Sequence, residues 1–138
     1  ESDPYDVEVS YGLLYHLSAP ATAIEYMANA CRGMLLLETI CSPGDEVNSP
    51  EQAEDPALAV TAFSGMGCRP TRRWVFDQLG ERFDHVYMIR TTPAHPEFPT
   101  DWDNPSRTSA NRGIFIASRS PIDHPDLAPQ ILDTHRVA

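Results

Sequence analysis

The chain has 138 residues, 41% of them hydrophobic and 22% charged, with a formal net charge of -10. Such a composition is ordinary for one globular domain, which at this length buries roughly two thirds of the surface of its unfolded chain. The acidic balance argues against a nucleic-acid partner, because phosphate binding depends on Lys and Arg. No apolar run approaches the ~20 residues that span a bilayer, and no signal peptide opens the chain, so we expect a cytoplasmic protein without a membrane partner.

The first predicted element lies in the stretch Tyr5–Leu17, Y-D-V-E-V-S-Y-G-L-L-Y-H-L. Apolar residues alternate up to Gly12 and then form a run, a change of period that predicts a strand, a tight turn and the start of a helical segment. In open parallel sheets ligands bind just past the carboxyl end of a strand, and Gly12 would let a ligand approach the backbone closely. The alternative is an ordinary strand and turn, with core leucines and a surface histidine: Leu13, Leu14, Leu17 and His16.

A helix and a buried strand follow. Ser18 as N-cap and a proline in the first turn predict a helix over Pro20–Arg32, which Gly33 ends. The continuous apolar run in Met34–Thr39 predicts a parallel strand that is buried on both faces. Glu38, near the end of that strand, would lie at the ligand-binding edge. There it either accepts a proton from a substrate hydroxyl or caps a neighbouring loop.

The stretch Ser42–Asp55 is acidic and rich in proline and glycine, so we expect a surface loop, the acidic loop, that lies over the ligand-binding edge. An apolar face formed by Trp74, Val75 and Leu79 predicts a second helix, which Gly80 ends. Three arginines cluster at the start of this helix, and they are either exposed, paired with the acidic loop, or part of a site for a substrate anion: Arg69, Arg72 and Arg73.

Two further strands are predicted over Asp84–Arg90 and Arg112–Ser118, with the stiff, proline-rich loop Thr91–Asn111 between them. The loop carries the densest mixture of acid–base and aromatic residues in the chain: His95, Glu97, Phe98, Asp101 and Trp102. Its aromatic rings either stack on a substrate ring or pin the loop. Loop residues this close together seldom share a metal ion, so we predict no metal. The tail has helix potential over Asp126–Thr134, and we expect it to pack loosely.

The three cysteines are widely spaced and form neither a C-x-x-C pair nor a metal-ligand pattern: Cys31, Cys41 and Cys68. We expect reduced, buried thiols. A hydrolase with Cys41 as nucleophile and His16 as its base is the remote alternative.

The segment Y-D-V-E-V-S-Y-G-L-L-Y-H-L-S-A-P resembles the strand-four segment of class I S-adenosylmethionine-dependent methyltransferases, and the later elements follow in that superfamily's order. The G-L-L-Y-H form is similar to its small-molecule, glycan-linked and tRNA wobble-uridine branches. The resemblance implies an α/β fold, an incomplete Rossmann-like sheet with strands four to seven, flanking helices and an antiparallel last strand. Residues 1–119 would be the C-terminal half of a methyltransferase domain and residues 120–138 a tail. The superfamily's glycine-rich cofactor turn would lie upstream, since no G-x-G-x-x-G occurs in the chain.

The same resemblance implies methyl transfer from S-adenosylmethionine to a small-molecule or glycan acceptor, completed by an upstream half. The cofactor would contact Gly12, Leu13 and Leu14. The catalytic residues would be His16, as general base, and Glu38. The substrate would contact Tyr15, Arg69, His95 and Trp102, beneath the acidic loop as a lid. Metal-dependent relatives carry carboxylates where Gly12 and Tyr15 stand, which again argues against a metal. The alternative is a non-catalytic, truncated module that forms a homodimer or binds another chain through an exposed apolar edge.

Overall fold

The computed structural model describes residues 3–54, 57, 65–106 and 110–138. In chain order the elements are β1 (Tyr5–Tyr11), a 3-10 turn (Leu14–His16), α1 (Pro20–Ala30), β2 (Cys31–Ile40), β3 (Glu51–Ala53), β4 (Met66–Cys68), α2 (Arg72–Gly80), β5 (His85–Ile89), β6 (Thr91–Thr92), β7 (Arg112–Ser118), β8 (Leu127–Ala128) and β9 (Arg136–Val137). No helix among these residues is long and apolar enough to cross a membrane.

The main sheet has five strands in the order β1-β2-β7-β5-β8. Strands β1 and β2 are parallel, whereas β7 runs antiparallel to both β2 and β5. Two small pairs lie outside this sheet: β3 with β4, antiparallel, and β6 with β9, parallel. The α/β fold with an antiparallel last long strand, as predicted from the sequence, is confirmed.

Both helices contribute to the core that covers one face of this sheet. Alternate residues of β2 and β7 point into this core, including Leu35, Leu37 and Phe115, all of them fully buried. The helices supply the opposing side chains, among them Ile24 and Val75. On the opposite face, the β1 residues Val7 and Val9 are 49% and 57% exposed. This second face is therefore apolar and only partly covered by the described residues.

The boundaries of α1 differ from the prediction. The N-cap is Ala19, whose side chain makes no capping bond, so the predicted cap at Ser18 is wrong. The helix ends at Ala30, and Gly33 lies within β2 instead of ending the helix. A Cβ at Gly33 would stand 2.3 Å from the backbone oxygen of Asp6. This glycine therefore permits the close approach of β1 to β2 rather than a helix stop.

The tail is ordered differently from the predicted helix. Residues 126–134 contain no helix, and Leu127–Ala128 instead pairs with the free edge of β5, where Ala128 is fully buried. The backbone N–H of Trp102 donates to the carbonyl of Asp133, and this bond connects the tail to the long, proline-rich loop that carries Trp102. The expected loose packing is wrong because β5 offers the tail a strand edge with unpaired backbone groups.

His135, also in the tail, lies in a site that fits its neutral form. Its Nε2 accepts a hydrogen bond from the indole Nε1–H of Trp102 at 3.2 Å, and its Nδ1 lies 2.7 Å from the carbonyl oxygen of Ile89. The indole only donates, so the neutral imidazole with a proton on Nδ1 fits this site and the imidazolium does not. Burial lowers the pKa of His135 below its ordinary value of 6.5.

We predict that the free energy of unfolding falls as the pH drops below 6.5, by at most about 1.4 kcal/mol per pH unit for one proton. The sign follows because the unfolded chain then binds a proton that the folded chain rejects. Urea unfolding between pH 7.5 and 5.5 measures this, and His135→Gln should flatten the curve whereas His124→Gln, at an exposed position, should not. Equal slopes for the two variants would contradict the prediction.

Candidate active site

The site forms where β1 and β2 end side by side. The chain turns at Gly12, whose φ of 68° favours glycine. The backbone N–H of Gly12 donates to Oε2 of Glu38 at 2.9 Å. Because Glu38 is only 7% exposed, its carboxylate is a fixed acceptor at the strand ends. Of the two roles considered for Glu38, this contact matches the loop-capping one.

Arg112 adds a positive charge to this carboxylate. It begins β7 directly opposite Ile40 at the end of β2. Its Nη1 donates to Oε1 of Glu38 at 2.7 Å and its Nε donates to Oε2 of Glu97 at 2.6 Å. Burial alone would lower the pKa of Arg112, but hydrogen bonds to Glu38, Glu97 and Tyr15 raise the pKa above its ordinary value. The charge of Arg112 is therefore permanent at this edge of the sheet.

Tyr15 lies close to two guanidinium groups. The carbon at the centre of the Arg69 guanidinium is 5.4 Å from the ring centroid, and that of Arg112 is 5.5 Å from it. Both distances are within the range of cation–π attraction. Arg69 also donates from Nη1 to the backbone oxygen of Tyr15 at 3.2 Å. Contacts with both arginines thus hold the 3-10 turn.

The acidic loop reaches the same turn through Glu54. Oε2 of Glu54 lies 3.1 Å from Nδ1 of His16, and Oε1 lies 3.3 Å from Nη2 of Arg69. The Glu54 side chain is 6% exposed, although the loop around it is acidic and polar. Arg69 therefore pairs with the acidic loop, one of the alternatives considered from the sequence.

The structure brings five of the predicted site residues together: Gly12, Tyr15, His16, Glu38 and Arg69. Sequence reasoning missed two members of this cluster, Glu54 and Arg112, and gave Glu97 no role in it. The signal for Arg112 was its position at the start of a strand expected to pair with the neighbouring one. No comparable signal marked Glu54, which is one of several acidic residues in its loop.

The other predicted residues lie elsewhere or at the margin. Leu14 is fully buried in the core, and Leu13 is 46% exposed in an apolar groove beside α1. His95 is exposed, and its Nδ1 accepts from the backbone N–H of Glu97, whose side chain pairs with Arg112. Trp102 is 5% exposed, and the Arg72 guanidinium lies 4.4 Å from its ring centroid. In this structure Trp102 holds its loop in place.

The cysteines are free and buried, as expected. Burial raises the pKa of Cys41 to about 12, so its thiol stays protonated at neutral pH and is a poor nucleophile. Among the described residues no three His, Cys, Asp or Glu side chains are grouped to hold a metal ion.

Gly67 allows the backbone of β4 to lie in close contact with Tyr15 and Glu54. A Cβ there would lie 2.2 Å from the backbone oxygen of Tyr15 and 2.8 Å from Oε1 of Glu54. We predict that Gly67→Ala displaces β4 and lowers the free energy of unfolding by roughly 1–3 kcal/mol, because the backbone cannot yield as a flexible side chain would. Urea unfolding measures the change. Gly80→Ala is the control, since open space surrounds Gly80, and there we expect a neutral or slightly stabilising effect. Equal stabilities for the two variants would contradict this account of Gly67.

The described residues thus form an α/β domain with a polar cluster at the ends of β1 and β2. Its fold is similar to that of a domain in two crystal structures determined with S-adenosylhomocysteine (SAH). One is the N-terminal domain of EvdMO1 in the presence of SAH and D-fucose, with a TM-score of 0.56 and 15% identity, covering 84% of this chain. The other is the same domain with SAH bound, with a TM-score of 0.55 and 16% identity, also covering 84% of this chain.

The chain spans 48% and 47% of the length of those two chains, about half. No protein-family model matches the sequence, and no curated protein matches it either. At this level of identity the likeness concerns the fold. It supports the α/β fold predicted from the sequence.

Proposed function

We propose that this chain forms the acceptor side of an S-adenosylmethionine-dependent methyltransferase that acts on a small-molecule or glycan acceptor and is completed by a cofactor-binding half. The observation that carries this proposal is the likeness of 84% of the chain to a domain determined with SAH, and with D-fucose present in one structure. SAH is what remains of S-adenosylmethionine after its methyl group is transferred, and D-fucose is a sugar that offers hydroxyl groups.

The turn after β1 fits a cofactor edge. A Cβ built on Gly12 would meet only the Tyr15 hydroxyl within 4 Å, at 3.8 Å, so the backbone there is open to a ligand. In this proposal the backbone of Gly12, Leu13 and Leu14 contacts the cofactor, which supplies an activated methyl group. The Leu14 side chain points into the core and leaves only its backbone for such a contact.

The residues of the cluster would then have separate roles. His16 removes the proton of the acceptor hydroxyl, because imidazole is a base near neutral pH. Glu38 fixes the Gly12 turn and Arg112 rather than taking a proton itself. Tyr15 and Arg69 would contact the acceptor at the edge of this cluster, and His95 would lie at its margin. A role for Trp102 would be to hold the loop that carries His95.

Calorimetric titration of the 138-residue chain with SAH tests the cofactor contact. We expect binding that is lost in Gly12→Val, where a β-branched residue is strained at positive φ, and kept in Gly80→Ala. Absence of binding by a folded chain would contradict a cofactor site on this chain alone. It would assign the cofactor contacts to the other half.

A non-catalytic binding role is favoured by one observation, the exposed apolar face of β1. No described strand pairs with the outer edge of β1, and that strand exposes four large apolar side chains: Tyr5, Val7, Val9 and Tyr11. Exposed strand edges with apolar faces pair readily with another chain. Sedimentation velocity should then show a homodimer that Val9→Lys dissociates and Val47→Lys, in the acidic loop, does not. A monomer at all concentrations would contradict this second function.

A further inference from the structure

The Glu54 carboxylate binds the His16 imidazole and the Arg69 guanidinium at the same time. Both oxygens of the Glu54 carboxylate are engaged, Oε2 with Nδ1 of His16 at 3.1 Å and Oε1 with Nη1 and Nη2 of Arg69 at 3.4 and 3.3 Å. A carboxylate paired with a guanidinium is ionised and can only accept hydrogen bonds. The proton between Glu54 and His16 therefore belongs to the imidazole Nδ1.

We propose that Glu54 is a positioning residue that holds neutral His16 in the tautomer with a proton on Nδ1 and a free electron pair on Nε2. The Nε2 atom has no hydrogen-bond partner among the described residues, and the His16 side chain is 23% exposed. The Tyr15 ring lies against the imidazole, with 4.1 Å between the ring centroids, and restricts its rotation. Orientation and tautomer are thus both fixed before any ligand binds.

The backbone holds this arrangement from two directions. Glu54 follows β3, in which Gln52 pairs with Gly67 of β4. The backbone N–H of Glu54 donates to the carbonyl of Gly65 at 2.9 Å. His16 is anchored in the 3-10 turn by its own N–H, which donates to the carbonyl of Leu13 at 3.0 Å. The loop must therefore lie over the site for the imidazole to carry its proton on the correct nitrogen.

The catalytic consequence rests on the proposed function. Nε2 of His16 takes the proton of the acceptor hydroxyl while the hydroxyl oxygen forms its bond to the methyl carbon. The bond from that carbon to sulfur breaks, and its electron pair stays on sulfur. The imidazolium that results gains a charge-assisted bond to Glu54, so the carboxylate stabilises the charge that develops on His16. Glu54 and His16 would thus act as a histidine–carboxylate pair, in which the acidic loop provides the carboxylate.

Nitrogen NMR of the imidazole rings in the 138-residue chain at neutral pH tests the tautomer without any catalysis. A ring nitrogen that carries a proton has a very different chemical shift from one that does not, and His16→Gln identifies the His16 signals by their loss. We expect the Nδ1–H tautomer to predominate at least about tenfold over the Nε2–H form, as one hydrogen bond to a charged group implies. Predominance of the Nε2–H form in the unmodified chain would overturn the proposal.

Glu54→Gln adds a second readout, because an amide can donate to Nδ1 as well as accept from it. We expect this variant to shift His16 toward the Nε2–H tautomer. Glu51→Gln is the control, since it removes the same charge from an exposed position in the same loop. An unchanged tautomer in folded Glu54→Gln would overturn the positioning role. If the tautomer behaves as expected but a protein assembled from this chain and a cofactor-binding half transfers no methyl group to sugar or small-molecule acceptors, the positioning role stands and the proposed function fails.

Discussion

Replacing His16 with alanine is expected to lower turnover by about 10²–10⁴-fold, the usual contribution of a positioned general base, in a methyltransferase assembled from this chain and its cofactor-binding half. The affinity for SAH should stay the same, because His16 acts on the acceptor hydroxyl and is not among the proposed cofactor contacts. Initial rates with a sugar acceptor and a separate SAH titration measure the two effects. Selective loss of turnover would identify His16 as a group that acts on the acceptor.

The control for this substitution is His124→Ala, at an exposed position in the tail. It should leave both turnover and SAH affinity unchanged. Unaltered turnover in His16→Ala would remove His16 as the base. A parallel loss of turnover and SAH affinity would instead indicate that the 3-10 turn had been displaced, and chemical rescue with imidazole would separate these two causes.

The fold was predictable where a single period governs a segment. The continuous apolar run in β2 and the helical spacing in α1 reflect burial in the core, and the alternation in β1 reflects its strand conformation with one apolar face. The tail was not predictable in this way. Strand β8 has only two residues, Leu127–Ala128, and its conformation depends on pairing with the free edge of β5. A local sequence pattern does not predict such a tertiary contact.

The site was predictable to the extent that strand ends determine it. Gly12 follows β1, and Glu38 lies near the end of β2 opposite Tyr11, so the parallel pairing alone places them together. Arg112 required the register of β7 against β2, in which it falls opposite Ile40. Glu54 required the acidic loop to fold back through β3 and β4. Loop composition predicts exposure for such a residue, and the structure instead buries it against His16.

Arg72 shows a related limit of sequence reasoning. As one of three neighbouring arginines it could be exposed, paired with the acidic loop or part of an anion site. In the structure it is 3% exposed and lies between the acidic loop, the long loop and the tail. It donates to the backbone oxygen of Leu132, lies 3.4 Å from Asp133 and 3.7 Å from Asp45, and covers the Trp102 ring. Three segments distant in sequence therefore depend on one side chain.

We expect Arg72→Ala to lower the free energy of unfolding by roughly 3 kcal/mol, the largest effect on stability of the substitutions proposed. Little of this loss should come from the ion pairs, because Asp45 and Asp133 are 72% and 62% exposed and such pairs contribute little. Most should come from the cavity beneath Trp102 and from the unpaired carbonyl of Leu132. Urea unfolding at neutral pH measures the change.

Two further substitutions separate these contributions. Arg72→Met keeps most of the volume over the Trp102 ring but cannot donate to Leu132, so it should lose roughly half as much stability as Arg72→Ala. Arg73→Ala is the matched control, because Arg73 is 43% exposed and lies 4.0 Å from Asp77, and its loss should stay within about 0.5 kcal/mol. Equal losses for Arg72→Ala and Arg73→Ala would mean that the three segments are held together by other contacts. A loss in Arg72→Met as large as that in Arg72→Ala would assign the stabilisation to the hydrogen bond rather than to packing.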